Sequence, residues 1–305
     1  MITALAGGVG AARFLTGLVK LVKEEDLTIV VNTGDDIELY GLHVSPDVDI
    51  VAYTLAGIVD EEKGWGIRGD TFRCLEALKK LNGETWFNLG DMDLATHMFR
   101  TDLLRKGLTL SEVTALITKA LGLKVKIVPM TDDRFETRIL TRQGSIHFEE
   151  YFVRNGSKDE VLGVEFVGAD LAKPALGVVD AILDSELVVV CPSNPVVSIG
   201  TILAVNGVRE ALRQTGARRV AISPIVAGAP IKGPADKLLR GLGIEVSAFS
   251  VAKLYADFLD VFVIDVADES EKGRIEELGI EVKVTNIIMR SLDDKVSLAK
   301  AVLDS

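Results

Sequence analysis

Hydrophobic residues in this chain fall into two textures that alternate along its length. Short dense runs of Val, Ile, Leu and Ala occupy 2–6 (ITALA), 27–32 (LTIVVN), 186–192 (ELVVVCP), 219–226 (RVAISPIV) and 261–266 (VFVIDV). Runs this short, with little polar alternation, predict strands buried on both faces. Between them apolar residues recur every three or four positions. That spacing predicts a helix after Gly10 with Phe14, Leu15, Leu18 and Leu21 on one face. A second covers 47–60 with Ile50, Val51, Leu55 and Ile58 inward, and a third covers 70–81 with Phe72, Leu75, Leu78 and Leu81. Further helices are expected at 174–184, 199–214, 234–242, 250–258 and 292–303. Strand–helix alternation of this kind implies an α/β fold, a Rossmann-like parallel sheet with helices on both faces.

The middle of the chain breaks the rhythm. Thr109 with Glu112 three residues later has capping-box spacing and opens a helix over 111–121. KVKIVPM follows, and then ETRILT and SIHFEEYFV flank Arg142-Gln143-Gly144 as an antiparallel hairpin. We therefore expect a single domain over 1–305. Its core comes from about 1–94 and 166–305, and a smaller inserted α+β unit spans about 95–165.

Composition narrows the setting. The 305 residues are 48% hydrophobic and carry a net charge of −11. Such an acidic chain gains nothing from a nucleic-acid backbone, so no nucleic-acid partner is expected. Mean hydropathy is +0.29, yet no apolar run reaches the roughly 18 residues of a membrane span. The start, MITALAGGVG, has no basic segment and reads as a strand entering a glycine turn rather than as a signal peptide. Cys74 and Cys191 stand far apart without metal-ligand spacing, which fits a reducing, cytoplasmic compartment.

Every chemical candidate lies at the end of an expected strand, where open α/β sheets bind ligands. Gly7-Gly8-Val9-Gly10 leads from the first strand into the first helix, a place suited to an anion, with Arg13 one turn further on. The same residues also read as a plain tight turn with a surface cation. Asn32-Thr33-Gly34-Asp35-Asp36 ends the second strand, and Pro46-Asp47-Val48-Asp49 adds two carboxylates at i and i+2. If that stretch is extended, both point the same way. Carboxylates gathered at one mouth call for a cation, and Mg2+ suits carboxylates combined with phosphate oxygens. Helix capping by Asp47 or Asp49 is the plainer alternative. In Leu89-Gly90-Asp91-Met92-Asp93, we expect Asp93 as an N-cap and Asp91 facing the site, with His97 structural. Ser193, Asn194 and Lys232 sit on later strand ends and are candidate nucleotide or phosphate contacts. Neither a G-x-x-x-x-G-K-[ST] loop nor a G-x-S-x-G elbow is present.

Six blocks, GGVGAARFLTGL, NTGDDIELYGLHVSPDVD, TLAGIVDEEKGWGIRGDT, WFNLGDMDLATH, CPSNPVVSIGTIL and SPIVAGAPIKGPADKLL, resemble in this order the 2-phospho-L-lactate transferase (CofD-like) family. The similarity covers nearly the whole chain. The resemblance implies a step in making coenzyme F-420. A phospholactyl group passes from a guanosine diphosphate-activated donor to the deazaflavin alcohol Fo, with Mg2+ and release of GMP, in a cytoplasmic homodimer. It also implies that Asp35 and Asp49 hold the metal and act in catalysis. Fo would meet Asp49, Asn88 and Asp91, and the nucleotide would meet Gly8, Gly10, Arg13, Ser193, Asn194 and Lys232. The family often has a basic residue where this chain has Asn88, and Arg where it has Met92. A related branch, a non-catalytic nucleotide-sugar-binding regulator, is the alternative. An NAD-dependent dehydrogenase is a third reading, opposed by Arg13 and the extra carboxylates.

Overall fold

A computed structural model describes all of residues 1–305. Its centre is a seven-stranded sheet, parallel throughout. From one edge the order is Glu281–Val284, Val261–Ile264, Arg218–Ile222, Leu187–Val190, Ile2–Ala6, Leu27–Val31 and Lys126–Pro129. The dense apolar runs explain the burial. Successive side chains of a strand point to opposite faces, so one run feeds two cores. Leu5, Val30, Val128, Val190 and Phe262 enter one core, with helices Ile199–Ala204, Val208–Gln214 and Ala248–Tyr255. Ala4, Ala6, Ile29, Val31 and Val189 enter the other, with helices Gly8–Leu18, Pro46–Leu55 and Leu292–Leu303. No helix is long and apolar enough to cross a membrane.

The strand order fixes where a ligand can sit. From Ile2–Ala6 the chain builds outward through Leu27–Val31 to the edge strand Lys126–Pro129. It then returns to Leu187–Val190 on the opposite side of Ile2–Ala6 and builds toward the other edge. The direction of growth therefore reverses between Ile2–Ala6 and Leu187–Val190. Helices leave those two strand ends on opposite faces, and a crevice opens between them.

Several expectations need correcting. Residues 95–165 are not a separable insertion. Lys126–Pro129 pairs in parallel with Leu27–Val31, from Thr28 opposite Lys126 to Val31 opposite Pro129. Ile127 and Val128 are each buried, on opposite faces, as a strand of the main sheet requires. The independent small sheet has three antiparallel strands, Gly144–His147, Glu136–Thr141 and Gly163–Val167, the last of which runs past the expected boundary. The helix expected over 199–214 breaks at Asn206-Gly207, where Gly207 takes φ 88°. The helix over 70–81 shrinks to Arg73–Lys80 and buries none of its residues fully. No dense run announces the edge strand Glu281–Val284, whose apolar residues alternate with Glu281 and Lys283. Finally, the second hairpin strand stops at His147. Phe148 and Tyr151, three residues apart, are both buried, and the chain coils through a π-helical turn at Glu150–Arg154.

Candidate active site

A cavity of about 750 Å3 opens at the reversal point. Its floor is the glycine turn after Ile2–Ala6 and the Pro192-Ser193-Asn194 turn after Leu187–Val190. Glycine is demanded here by close approach. A Cβ on Gly7 would lie 2.6 Å from the Ser198 Cβ and 2.8 Å from an Asp47 oxygen, and one on Gly10 would run into the Pro192 carbonyl oxygen. The Ser193 hydroxyl locks the two turns together. It donates to the Gly7 carbonyl at 2.8 Å and accepts from the Gly7 N–H at 3.2 Å. Asn194 Oδ1 accepts from the N–H groups of Val196 and Val197. Gly8, Gly10, Arg13, Ser193, Asn194 and Lys232 all line the cavity.

The carboxylates divide into two groups, because Pro46-Asp47-Val48-Asp49 is not extended. Pro46 is the first residue of helix Pro46–Leu55, a position Pro favours. Residues i and i+2 of a helix point about 200° apart. Asp47 therefore turns toward the glycine turn and Asp49 toward helix Asp91–Arg105. Asp35 and Asp49 line one cavity, each with neighbours of its own.

The first group is Asp35, Asp47 and Glu149, all buried. The Asn32 amide donates to an oxygen of Asp35 and to one of Asp47, each at 2.9 Å. The Asp47 carboxylate also lies against the Gly7–Gly8 turn, 2.8 Å from where a Cβ on Gly7 would stand, which puts a carboxylate at the helix start where a dinucleotide's pyrophosphate would sit. The other oxygen of Asp35 has no hydrogen-bond partner. The Glu149 carboxylate makes no hydrogen bond to protein, and no cation of the chain answers this group. Burial pushes Glu149 up to about 8, helped by the charges of Asp47 and Asp36. Burial likewise lifts Asp47 to about 6, against the Asn32 hydrogen bond. Asp35 is held well above the usual carboxylate range by burial and then by Asp47 and Glu149. Asp36, beside them, is already committed to His43 and Ser45.

The second group is compensated. Asp49 receives both terminal nitrogens of Arg100, a fully buried arginine, with Nη1 at 3.0 Å. His97 Nδ1 stands 3.7 Å from Asp49 and its Nε2 stands 3.4 Å from Asp93. The Tyr53 hydroxyl donates to Asp93 at 2.8 Å. Asp49, Asp93 and His97 bring ligand-type atoms within 4.8 Å of one another. Asp49 stays raised because burial outweighs the attraction of Arg100 and His97.

Asp91 and Asp93 exchange their expected roles. Gly90 caps helix Asp91–Arg105, so Asp93 lies inside the first turn and shares a face with His97 and Arg100. Asp91 does not line the cavity. It accepts from Thr71 and from the N–H groups of Arg73 and Cys74, capping the helix Arg73–Lys80. Asn88 does line the cavity, at its exposed rim. Arg13, Lys232 and Arg290 also line the cavity. The Lys232 ammonium is lowered by partial burial and by Arg13, and no carboxylate opposes that. Sequence reasoning missed Glu149, Arg100 and Arg290. Only the spacing of Asp93, His97 and Arg100, at i, i+4 and i+7, offered a signal for any of them.

The sequence pattern described as "2-phospho-L-lactate transferase CofD" matches residues 2–292. The chain belongs to the CofD family. It is accordingly a transferase, and the family does not favour the regulator alternative. Relatives match end to end. A phosphoenolpyruvate transferase of Kitasatospora aureofaciens is 45% identical over 99% of this chain and 96% of its own length. A 2-phospho-L-lactate transferase of Methanocaldococcus jannaschii is 42% identical over 100% and 97%. Among solved structures, a UPF0052-family protein from Bacillus halodurans shares the fold, with TM-score 0.65 and 15% identity over 99% of this chain and 98% of its own.

Proposed function

We propose that this CofD-family transferase moves a 2-phospho three-carbon acid from a guanosine diphosphate-activated donor to the deazaflavin alcohol Fo, releasing GMP, in coenzyme F-420 biosynthesis. The observation that carries the reading is the make-up of the cavity's lining: Arg13 and Lys232, which form no ion pair within the chain, together with the buried carboxylates Asp35, Asp47 and Glu149, which no cation of the chain pairs. Arg13 and Lys232 meet the donor's phosphates, and the Gly8–Gly10 turn, Ser193 and Asn194 shape the floor beneath the nucleotide. Asn88 and the wall around Asp49 receive Fo. The acceptor hydroxyl attacks the phosphorus bearing the acid, one P–O bond forms as the bond to GMP breaks, and a carboxylate of the acidic wall takes the proton. A divalent cation, Mg2+ in this reading, would sit on the Asp35 side, where a buried oxygen lacks a partner. When bound it neutralises diphosphate charge and stabilises the leaving nucleotide. Asp49, already paired with Arg100, orients rather than ligates. A cytoplasmic homodimer acting on small molecules completes the proposal.

The relatives' names divide between phosphoenolpyruvate and 2-phospho-L-lactate, so the test uses both donors. Purified protein is mixed with Fo, Mg2+ and either the lactyl or the enolpyruvyl diphosphoguanosine, and products are read by mass spectrometry. Formation of GMP with the matching phospho-acid adduct of Fo supports the proposal. Neither adduct from authentic donors would refute it.

A further inference from the structure

We infer that Trp65 is a donor-contacting residue, carried on a flap of residues 57–69 that closes over the bound nucleotide diphosphate and keeps water from it. The donor's identity is taken from the transferase reading.

Residues 59–67 close on themselves. Val59 and Ile67 meet in an antiparallel bridge at the base, and Arg68 braces it through the Ile58 and Gly57 carbonyls. Above the bridge, Asp60 gathers the loop. Its N–H donates to the Gly66 carbonyl at 3.1 Å, and its carbonyl accepts the Gly64 N–H at 2.7 Å. One carboxylate oxygen accepts from the N–H groups of Glu62 and Lys63, and the other meets the Lys63 ammonium at 3.0 Å. Residues 60–66 make no hydrogen bond to any other part of the chain. A unit tied within itself and joined to the fold at its base can swing without breaking hydrogen bonds of its own. Gly57 and Gly69 supply the hinges. They take φ 70° and 73°, and nothing lies within 4 Å of where a Cβ would stand, so glycine serves the backbone there and not packing.

The tip of the flap meets the cavity. Gly64, Trp65 and Gly66 line it together with Lys232 and Gly233. The loop passes so close to Lys232 that a Cβ on Gly64 would lie 2.9 Å from the ammonium nitrogen. A diphosphate held by Lys232 therefore sits against the backbone next to Trp65. The indole is 38% exposed. It stands edge-on to Phe72, with ring centres 6.2 Å apart, and Lys63 Nζ lies 5.8 Å from its own ring centre. An indole this open at a cavity offers a flat apolar face to a ligand. Covering the diphosphate matters because water competes with the acceptor. In that side reaction a water oxygen bonds to the phosphorus bearing the acid, the P–O bond to GMP breaks, and the water's proton passes to solvent. Free phospho-acid and GMP result, and Trp65 suppresses them.

The chain has two tryptophans, so Trp86→Phe leaves Trp65 as the only one. Acrylamide quenching of that protein is measured with and without GDP, while calorimetry follows GDP binding. Bound GDP should reduce the quenching of Trp65, and Fo alone should not. With either guanylylated donor, Fo and Mg2+, mass spectrometry then weighs free phospho-acid against the Fo adduct. Trp65→Ala should raise that ratio up to about tenfold, the worth of one aromatic contact. Trp65→Phe, which keeps a flat ring, should stay near the wild type, so lost cover is told apart from a folding defect. GDP binding without protection of Trp65 overturns the inference. So does protection by Fo instead of GDP, an unchanged ratio in Trp65→Ala, or a failure of GDP to bind. Because quenching needs no turnover, protection by GDP in a protein that transfers neither phospho-acid would refute the transferase reading and leave the flap standing.

Discussion

The sharpest stability test is Arg100→Met. Arg100 is fully buried and meets both oxygens of Asp49, itself 5% exposed. Methionine fills much of the same volume without the charge, so the main loss is electrostatic: Asp49 remains buried with its counter-ion gone. Breaking one side of a buried pair costs about 3–5 kcal/mol. His97, 3.7 Å from Asp49, stays in place and should hold the loss near the lower figure. Domains are stable by about 5–15 kcal/mol, so the variant should still fold, and urea denaturation can measure the difference. The pH dependence supplies the check. Asp49 is raised already, by burial against Arg100. Without Arg100 its folded pKa climbs further above the unfolded value. A carboxyl raised on folding stabilises below its unfolded pKa, and that contribution fades as pH rises through the folded pKa. The deficit of Arg100→Met should therefore shrink in mildly acidic buffer and grow toward alkaline buffer. The pair Arg100→Met with Asp49→Asn should cost much less than the two single changes summed. A loss under about 1 kcal/mol, or a deficit independent of pH, would refute the claim that Asp49 depends on this arginine.

Other expectations follow from the same geometry. Lys232→Met should raise the KM for the guanylylated donor about 10–100-fold, the worth of one charged hydrogen bond, in steady-state assays with Fo saturating. Because burial and Arg13 lower the Lys232 pKa, donor KM should begin to climb at a pH below the ordinary lysine value, and Lys232→Arg should abolish that climb. Gly10→Ala should cost about 1–3 kcal/mol by urea denaturation, since its methyl group meets the Pro192 carbonyl. Asp91→Ala should speed hydrogen exchange at the start of helix Arg73–Lys80 while leaving KM for Fo unchanged, because its carboxylate caps that helix.

The parallel sheet was legible because a strand buried on both faces must be apolar at every position, and four-residue runs such as Leu187–Val190 satisfy nothing else. Edge strands escape that rule. Glu281–Val284 covers one flank only, so it tolerates Glu281 and Lys283 and leaves no dense signature. The site was legible as a set of strand ends but not as partnerships. Placing Asp47 and Asp49 on one side assumed extended backbone, whereas Ser45-Pro46 was a readable helix start, and a helix sends the two aspartates to different neighbours. The same one-turn error exchanged Asp91 with Asp93: Gly90, not Asp93, is the cap. Glu149 carries no local signal for its role. Its position follows from Phe148 and Tyr151, three residues apart and both buried, which end the strand and turn the intervening carboxylate into the cavity. Local pattern fixes which segments form elements; which acid meets which base depends on helix phase, and two residues of phase separate Asp49, paired with Arg100, from Asp47, which no cation pairs.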